Sequence, residues 1–181
     1  MRIPSATRRE PRIRRGSAGA VVAVLALLAT GVPRSRAADL HAFWDDRCAE
    51  CHRHAGEFAR NHLTLKDGRL VGSKPKRDVC AFLVTHGAGE ALAAPICAML
   101  SAQAATPSLF RDKCAACHGT AAELARAGLA TAPDGTVHAK SGGREIADFL
   151  ASHGGLAVDE IPHLAATLRR VLGEVQQRPE R

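Results

Sequence analysis

The chain has 181 residues, enough for one domain or two small ones and too few for a large multidomain enzyme. Apolar residues make up 46% and charged residues 24%, which argues against a disordered chain, but five Phe, one Trp and no Tyr leave little aromatic bulk for a core. The net charge of +7 is concentrated in residues 1–37, and the remainder has 17 basic and 17 acidic residues. This balance excludes a global basic field for binding nucleic acid.

Residues 1–37 are typical of a secretory signal peptide. Six arginines precede an apolar run over residues 18–30, and the small residues Ser35 and Ala37 mark a cleavage site after Ala37. The run is shorter than the roughly 20 residues that span a bilayer, so we expect cleavage, no permanent membrane span and a periplasmic mature protein. An uncleaved membrane tether or a basic disordered tail is the alternative interpretation. Disulfides are permitted in the periplasm.

The remaining chain contains an internal duplication, which predicts two domains over residues 38–105 and 106–181. We call these the first and second repeat, with residues 101–105 as a linker. The offset is 66 residues at first and 67 after one inserted residue. The equivalent pairs include Trp44 and Phe110, Cys48 and Cys114, Cys51-His52 and Cys117-His118, Arg60 and Arg126, Phe82-Leu83 and Phe149-Leu150, and His86-Gly87 and His153-Gly154.

Each repeat is predicted to be mostly helical. Asp39 and Thr106 are candidate N-caps of short helices that lead into the cysteine pairs. Asp-Gly dipeptides at residues 67–68 and 134–135 then indicate turns of small hairpins. Helical spacing of apolar residues follows over residues 77–85 and 144–152, each stopped by a glycine, and a last helix closes each repeat.

Both repeats contain the sequence C-x-x-C-H, which is the signature of covalent haem attachment. Two thiols three residues apart can add to the two vinyl groups of a haem, and the adjacent His then lies beneath the iron as its proximal ligand. A four-cysteine zinc site would need its pairs about 15 to 20 residues apart, whereas 62 residues separate these pairs. A thioredoxin-like redox pair does not explain the repetition. The predicted attachment residues are Cys48, Cys51, Cys114 and Cys117, with His52 and His118 as proximal ligands.

On these motifs the chain resembles a dihaem c-type cytochrome with two tandem cytochrome c domains, over essentially all of residues 38–181. The resemblance implies a mostly α fold in which each domain wraps one covalently attached haem, so the cofactors are two haem c groups. It also implies electron transfer between redox proteins, whose identity the sequence does not reveal. The haem would supply the bulk that the cores lack.

The distal ligands are predicted to be His86 and His153. Met1 leaves with the leader and Met99 has no counterpart, so Met can serve at most the first haem. Only one His besides the motif His recurs in both repeats. The alternative is that these two His are helix C-terminal residues favoured by the helix dipole. Five further His without a counterpart are expected at the surface: His41, His54, His62, His138 and His163.

Cys80 and Cys97 occur only in the first repeat, where the second has Ala147 and Leu164. Apolar counterparts suggest buried positions on neighbouring helices, so we expect a disulfide, with two buried thiols as the alternative.

The predicted function is electron carriage rather than catalysis. The alternatives are a haem enzyme or small-ligand sensor with an open or displaceable distal site, and a cytochrome subunit of a larger oxidoreductase.

Overall fold

A computed structural model describes residues 38–177, and in this range the protein is mostly helical. This confirms the predicted class. Ten helices and two antiparallel hairpins are present in the described residues. None of these helices combines the length and the apolar composition needed to cross a membrane. The predicted signal peptide, residues 1–37, lies outside the described range.

The two repeats present the same order of elements. The first contains α1 (Leu40–Arg47), α2 (Ala49–His52), α3 (Ala55–His62), β1 (Leu63–Lys66), β2 (Arg69–Gly72), α4 (Val79–Thr85) and α5 (Gly89–Ala105). The second contains α6 (Leu109–Lys113), α7 (Ala115–His118), α8 (Ala121–Gly128), β3 (Leu129–Thr131), β4 (Val137–Ala139), α9 (Ile146–Leu150) and α10 (Glu160–Val175).

Both Asp-Gly dipeptides lie in hairpin turns, as predicted. Strands β1 and β2 pair from Leu63 with Gly72 to Lys66 with Arg69, so the connecting loop has two residues. Both loop residues have positive φ, 52° at Asp67 and 75° at Gly68, which matches the twist of a tight hairpin. The loop between β3 and β4 is longer.

The helices predicted over residues 77–85 and 144–152 are present but shorter. Helix α4 is capped by Asp78, whose carboxylate accepts from the Ala81 N–H, and His86 follows its last residue. Gly87 and Gly154 have φ of 87° and 85°, which favours glycine and ends each helical segment.

The predicted linker and one predicted cap are wrong. Residues 101–105 belong to α5, because Ser, Ala and Gln are compatible with a helix and nothing in this stretch breaks it. Thr106 therefore follows the end of α5, and its hydroxyl donates to the Ala102 carbonyl. Ser108 takes the N-cap position of α6. The other predicted cap, Asp39, accepts from the Ala42 N–H as expected.

The described residues belong to one compact unit, within which buried apolar residues form two clusters. One cluster centres on Trp44, Ile96 and Leu100 of the first repeat, and the other on Leu168 and Leu172 of the second. The domain boundary after residue 105 stays a prediction.

Polar side-chain contacts join the two repeats. Arg126 binds both carboxylate oxygens of Asp39 at 2.6 and 3.0 Å. His41 Nε2 lies 2.8 Å from a carboxylate oxygen of Glu174. The expected surface position of His41 is thus wrong: the side chain is buried because α1 packs against α10, which provides an acid for the imidazole. A weaker contact of 3.9 Å joins Arg111 and Glu57.

Candidate functional site

The two C-x-x-C-H motifs form the short helices α2 and α7. Each first cysteine is the N-cap, and its carbonyl accepts from the N–H of the motif His, at 2.9 Å for His52 and 3.0 Å for His118. The two thiols of a motif are therefore one helical turn apart. None of the four motif cysteines forms a disulfide among the described residues.

The first thiol of each pair lies against the protein and the second is exposed. Cys48 and Cys114 are half-buried, and burial raises the pKa of both thiols. Cys51 and Cys117 are accessible to solvent. The raised pKa of Cys48 and Cys114 disfavours their thiolate form, which is the nucleophilic form of a cysteine.

Each motif His faces the recurrent His of its own repeat. The ring centres of His52 and His86 lie 6.1 Å apart, and those of His118 and His153 lie 5.9 Å apart. An imidazole nitrogen binds a first-row metal at about 2 Å and lies about 1 Å from its ring centre, so two imidazoles on opposite sides of one ion have centres about 6 Å apart. Both pairs match this spacing.

Each pair supplies two nitrogen donors, so a six-coordinate metal between them would take four donors from a non-protein ligand. Within residues 38–177, no cluster of three or more His, Cys, Asp or Glu side chains could hold a metal ion by itself. A planar tetrapyrrole with four nitrogens fits this donor set.

A cavity of about 650 Å³ opens between the facing imidazoles of the first repeat. We call it the first-repeat cavity. Its volume falls in the range typical of cofactor sites. Cys48, Cys51, His52 and His86 all line it, and its walls also include Trp44, Phe58, Leu63, Val79, Phe82, Leu83 and Leu100. In the first repeat, the predicted attachment residues and both predicted ligands thus meet at one mostly apolar cavity.

His52 is poised to donate a lone pair. Burial lowers the pKa of His52, and the neighbouring imidazoles of His86 and His62 lower it further. A neutral imidazole at pH 7 keeps one ring nitrogen unprotonated, which is the form that binds metals.

Met99, the alternative distal ligand for the first haem, does not line the first-repeat cavity. Met99 is 1% exposed, belongs to the apolar core cluster and is not among the residues that line the cavity. The structure thus brings His86, and not Met99, to the cavity.

A stack of side chains supports each recurrent His. Phe82 stacks on His86 with ring centres 4.3 Å apart and 22° between planes, and Phe149 packs on His153 at 4.6 Å. The guanidinium carbon of Arg77 lies 4.4 Å from the Phe82 ring centre. In the second repeat, Arg144 occupies the same place over Phe149 at 5.6 Å. The pattern Arg-x₄-Phe-x₃-His in both repeats was the available sequence signal for this stack.

The residue after each motif has a left-handed backbone. Arg53 has φ of 59° and Gly119 has φ of 66°. The Arg53 carbonyl accepts from the Trp44 indole N–H at 2.8 Å. Phe110, the counterpart of Trp44, has no such donor. The left-handed residue of the second repeat is Gly119, and glycine adopts this conformation at little cost. This turn ends the motif helix and directs the chain into α3 or α8.

Cys80 and Cys97 form a disulfide that joins α4 to α5. It lies two turns before His86 on the helix that presents this His. The second repeat has no equivalent bond.

The five His without counterparts differ in their environments. His54, His62 and His163 are exposed, although His62 also lines the first-repeat cavity. His138 is half-buried between the Thr136 hydroxyl and the Gly143 carbonyl. His41 is the buried exception described above.

Comparison of the chain with known protein families, with curated proteins and with solved structures finds no significant match. The chemistry of the site therefore has to be inferred from its own residues.

Proposed function

We propose that the protein is a periplasmic dihaem c-type cytochrome that transfers electrons between redox proteins. One observation carries the proposal: in both repeats a C-x-x-C-H histidine faces a second histidine at the spacing expected for two axial ligands of one iron, 6.1 and 5.9 Å between ring centres. The two repeats differ in many residues, so their agreement at this spacing supports a shared cofactor.

The chain's own residues divide the work of holding two haem c groups. Cys48 and Cys51 in the first repeat, and their counterparts Cys114 and Cys117, would attach the macrocycle. His52 with His86, and His118 with His153, would close both axial positions. The apolar cavity walls would exclude water from the ring. When bound, the haem iron supplies one-electron chemistry by cycling between ferric and ferrous states.

Closed axial positions favour an electron carrier. A six-coordinate haem has no free position for a substrate, and bis-His ligation lowers the reduction potential relative to His/Met ligation. Partners would be donor and acceptor redox proteins that dock through small, weak interfaces.

The test is the absorption spectrum of the mature, dithionite-reduced protein before and after carbon monoxide. The wild-type spectrum should show two c-type haems per chain and should not change with carbon monoxide. His86→Ala and His153→Ala should each open one haem to carbon monoxide. His62→Ala is the matched control, because His62 lines the same cavity as His86 but has no counterpart, and it should leave both haems closed.

Other results would redirect the proposal. Carbon monoxide binding by the wild type would favour a haem enzyme or small-ligand sensor with a displaceable ligand. Copurification of a second polypeptide would favour a cytochrome subunit of a larger oxidoreductase. Absence of covalent haem in protein expressed with a haem-attachment system would refute the proposal.

A further inference from the structure

A second cavity, of about 260 Å³, lies where the two repeats meet. We call it the junction cavity. It is bounded by α3, the end of α5, the start of α8 and one face of α10, and its polar lining includes one carboxylate, Glu57, besides Arg60, Gln103, Arg111, Thr120 and Arg170. None of its lining residues also lines the first-repeat cavity. A ligand here would thus be separate from the first predicted haem.

Arg60 lines this cavity and has no ion-pair partner among the described residues. It is half-buried, and among residues 38–177 no carboxylate lies within ion-pair distance of its guanidinium. Its counterpart Arg126 binds Asp39 through two hydrogen bonds. The residue 66 positions after Asp39 is Ala105. Both repeats therefore have the arginine, but the second repeat lacks an acid equivalent to Asp39.

Gln103 presents a second unsatisfied group beside Arg60. Its side chain is 94% buried, and its amide nitrogen has no hydrogen-bond partner in the described residues. Both groups approach the backbone of Gly56: a Cβ added there would lie 2.5 Å from Gln103 Oε1 and 2.9 Å from Arg60 Nη2. Glycine thus leaves room for the guanidinium and the amide to converge.

The other charges around the cavity are already matched. Arg111 contacts Asp112 at 3.1 Å and Glu57 at 3.9 Å. Arg170 binds Glu174 at 2.6 Å. Burial lowers the pKa of Arg60 and the positive charge of Arg111 lowers it further, whereas the carboxylates of Asp112 and Glu57, beyond ion-pair distance, raise it in part.

We propose that the junction cavity binds a small oxyanion, of the size and chemistry of sulfate, phosphate or a short carboxylate. Arg60 would bind it through its planar fork, which matches oxyanion geometry. The Gln103 amide, after rotation about its last bond, would donate a further hydrogen bond. Ala121 and Ala122 line the same cavity in the first turn of α8, where backbone N–H groups have no partner within the helix.

The test is thermal unfolding of the mature protein, as isolated with its cofactor, in increasing sodium sulfate at constant ionic strength set with sodium chloride. The wild-type Tm should rise and saturate. Arg60→Gln should need at least tenfold more sulfate for the same rise. Arg126→Gln is the matched control: it loses the ion pair to Asp39, so its Tm should start lower, but its sulfate response should equal that of the wild type.

Two further variants keep the proposal testable if Arg60→Gln does not fold. Gln103→Glu places a carboxylate beside Arg60 and should abolish the sulfate response. Gly56→Ala fills the point of approach and should weaken the response while retaining every charge. Equal sulfate responses in the wild type and all cavity variants would show only the general exclusion of sulfate from protein surfaces and would overturn the proposal. Backbone unfolding followed by far-ultraviolet circular dichroism reports this result independently of haem content, so failure of the anion site and failure of the proposed cytochrome function remain distinguishable.

Discussion

Two residue pairs differ between the repeats in a correlated way. In the first repeat the left-handed position after the motif holds Arg53, and the Trp44 indole fixes its carbonyl. In the second repeat Phe110 cannot donate that hydrogen bond, and Gly119 occupies the left-handed position. A side chain at a position of this kind costs about 1–3 kcal/mol and persists only where its surroundings impose the conformation.

Arg53→Gly should therefore stabilise the protein. Relief of strain should exceed the greater flexibility of glycine in the unfolded chain, with a net gain of up to about 1 kcal/mol. Gly119→Arg should destabilise by more than this, because a Cβ at that position also meets the Glu123 carboxylate of the α8 capping box. The free energy of unfolding in urea measures both changes. A loss of stability in Arg53→Gly would contradict the strain assignment.

The phenylalanine beneath each recurrent histidine gives a second prediction, which rests on the proposed function. Phe82→Leu keeps an apolar side chain but removes the ring that stacks on His86 at 4.3 Å, so this His should hold its position less well. We expect faster carbon monoxide binding to the first haem only. Phe149→Leu should give the same effect at the second haem, and Phe58→Leu, which packs on His52 instead, is the control. Unchanged carbon monoxide kinetics in both variants would show that the stack does not position the ligand.

At the scale of elements, the last two helices of each repeat are held together differently. The first repeat joins α4 to α5 by the bond between Cys80 and Cys97, across 17 residues. The second repeat packs α9 against α10 through Ala147, Leu164 and their apolar neighbours. The residues of the second repeat at these two positions can therefore replace the two cysteines of the first repeat.

The double variant Cys80→Ala/Cys97→Leu should fold and be less stable than the oxidised protein by about 3 kcal/mol, the loop-closure contribution of a bond of this span. Thermal unfolding measures the loss. Addition of a thiol reductant to the wild type should lower its Tm toward that of the variant and leave the variant unchanged. If reductant shifts both proteins equally, the bond between Cys80 and Cys97 is not the stabilising element.

Local sequence patterns predicted most of these elements and some, but not all, of their ends. The hairpin turns follow from Asp-Gly dipeptides, and the helix stops at Gly87 and Gly154 follow from backbone freedom that glycine alone provides cheaply. Residues 101–105 were predicted as a linker because the repeat alignment ends there. The helix continues through them, since helix termination depends on breakers and caps rather than on repeat boundaries.

The candidate site likewise contains residues that a local pattern predicts and residues that it does not predict. His86 and His153 could be predicted because both copies of the duplication keep them. His41 could not be placed, because its burial depends on Glu174, 133 residues away. Gln103 and Arg60 carry no local signal either. Their environment exists only where the two repeats meet, and the pattern of one repeat contains no information on that contact.

At the scale of the whole molecule, side-chain pairs hold the repeats together. Glu174 lies between the His41 imidazole at 2.8 Å and the Arg170 guanidinium at 2.6 Å, and its side chain is nearly fully buried. Asp39 and Arg126 form a partly exposed pair on the same junction. Loss of a buried hydrogen-bond partner destabilises more than loss of an exposed ion pair, because the buried polar atom left behind cannot bind water instead.

His41→Ala should therefore destabilise the molecule by about 2 kcal/mol, through loss of packing and of one hydrogen-bond partner of Glu174, which keeps its ion pair with Arg170. The expected signature is a lower midpoint in urea unfolding. His163→Ala, on an exposed part of α10, is the control and should change the free energy of unfolding by less than about 0.5 kcal/mol. Equal effects of the two substitutions would mean that the junction pair does not stabilise the fold.

The pair between Asp39 and Arg126 predicts how the junction responds to acid. Burial raises the pKa of Asp39, but hydrogen bonds from Arg126 and from the Ala42 N–H outweigh it and hold the pKa below its ordinary value of 3.8. A carboxylate whose pKa is lower in the folded state contributes stability above the unfolded value, and this contribution is lost as the pH falls through the folded value. Asp39→Asn keeps an N-cap side chain, so it removes the charge and not the cap.

We therefore expect Asp39→Asn to lower the free energy of unfolding at pH 7 by up to about 1 kcal/mol, a modest effect because the pair is partly solvated. The difference between wild type and variant should shrink below about pH 5 and vanish once the pH falls below the lowered pKa of Asp39, where the wild-type carboxyl is protonated as well. Asp46→Asn, at an exposed position without an ion pair in the described residues, should show no difference at either pH. A stability difference for Asp39→Asn that stays constant from pH 7 to pH 3 would assign the effect to lost packing rather than to the charge that joins the two repeats.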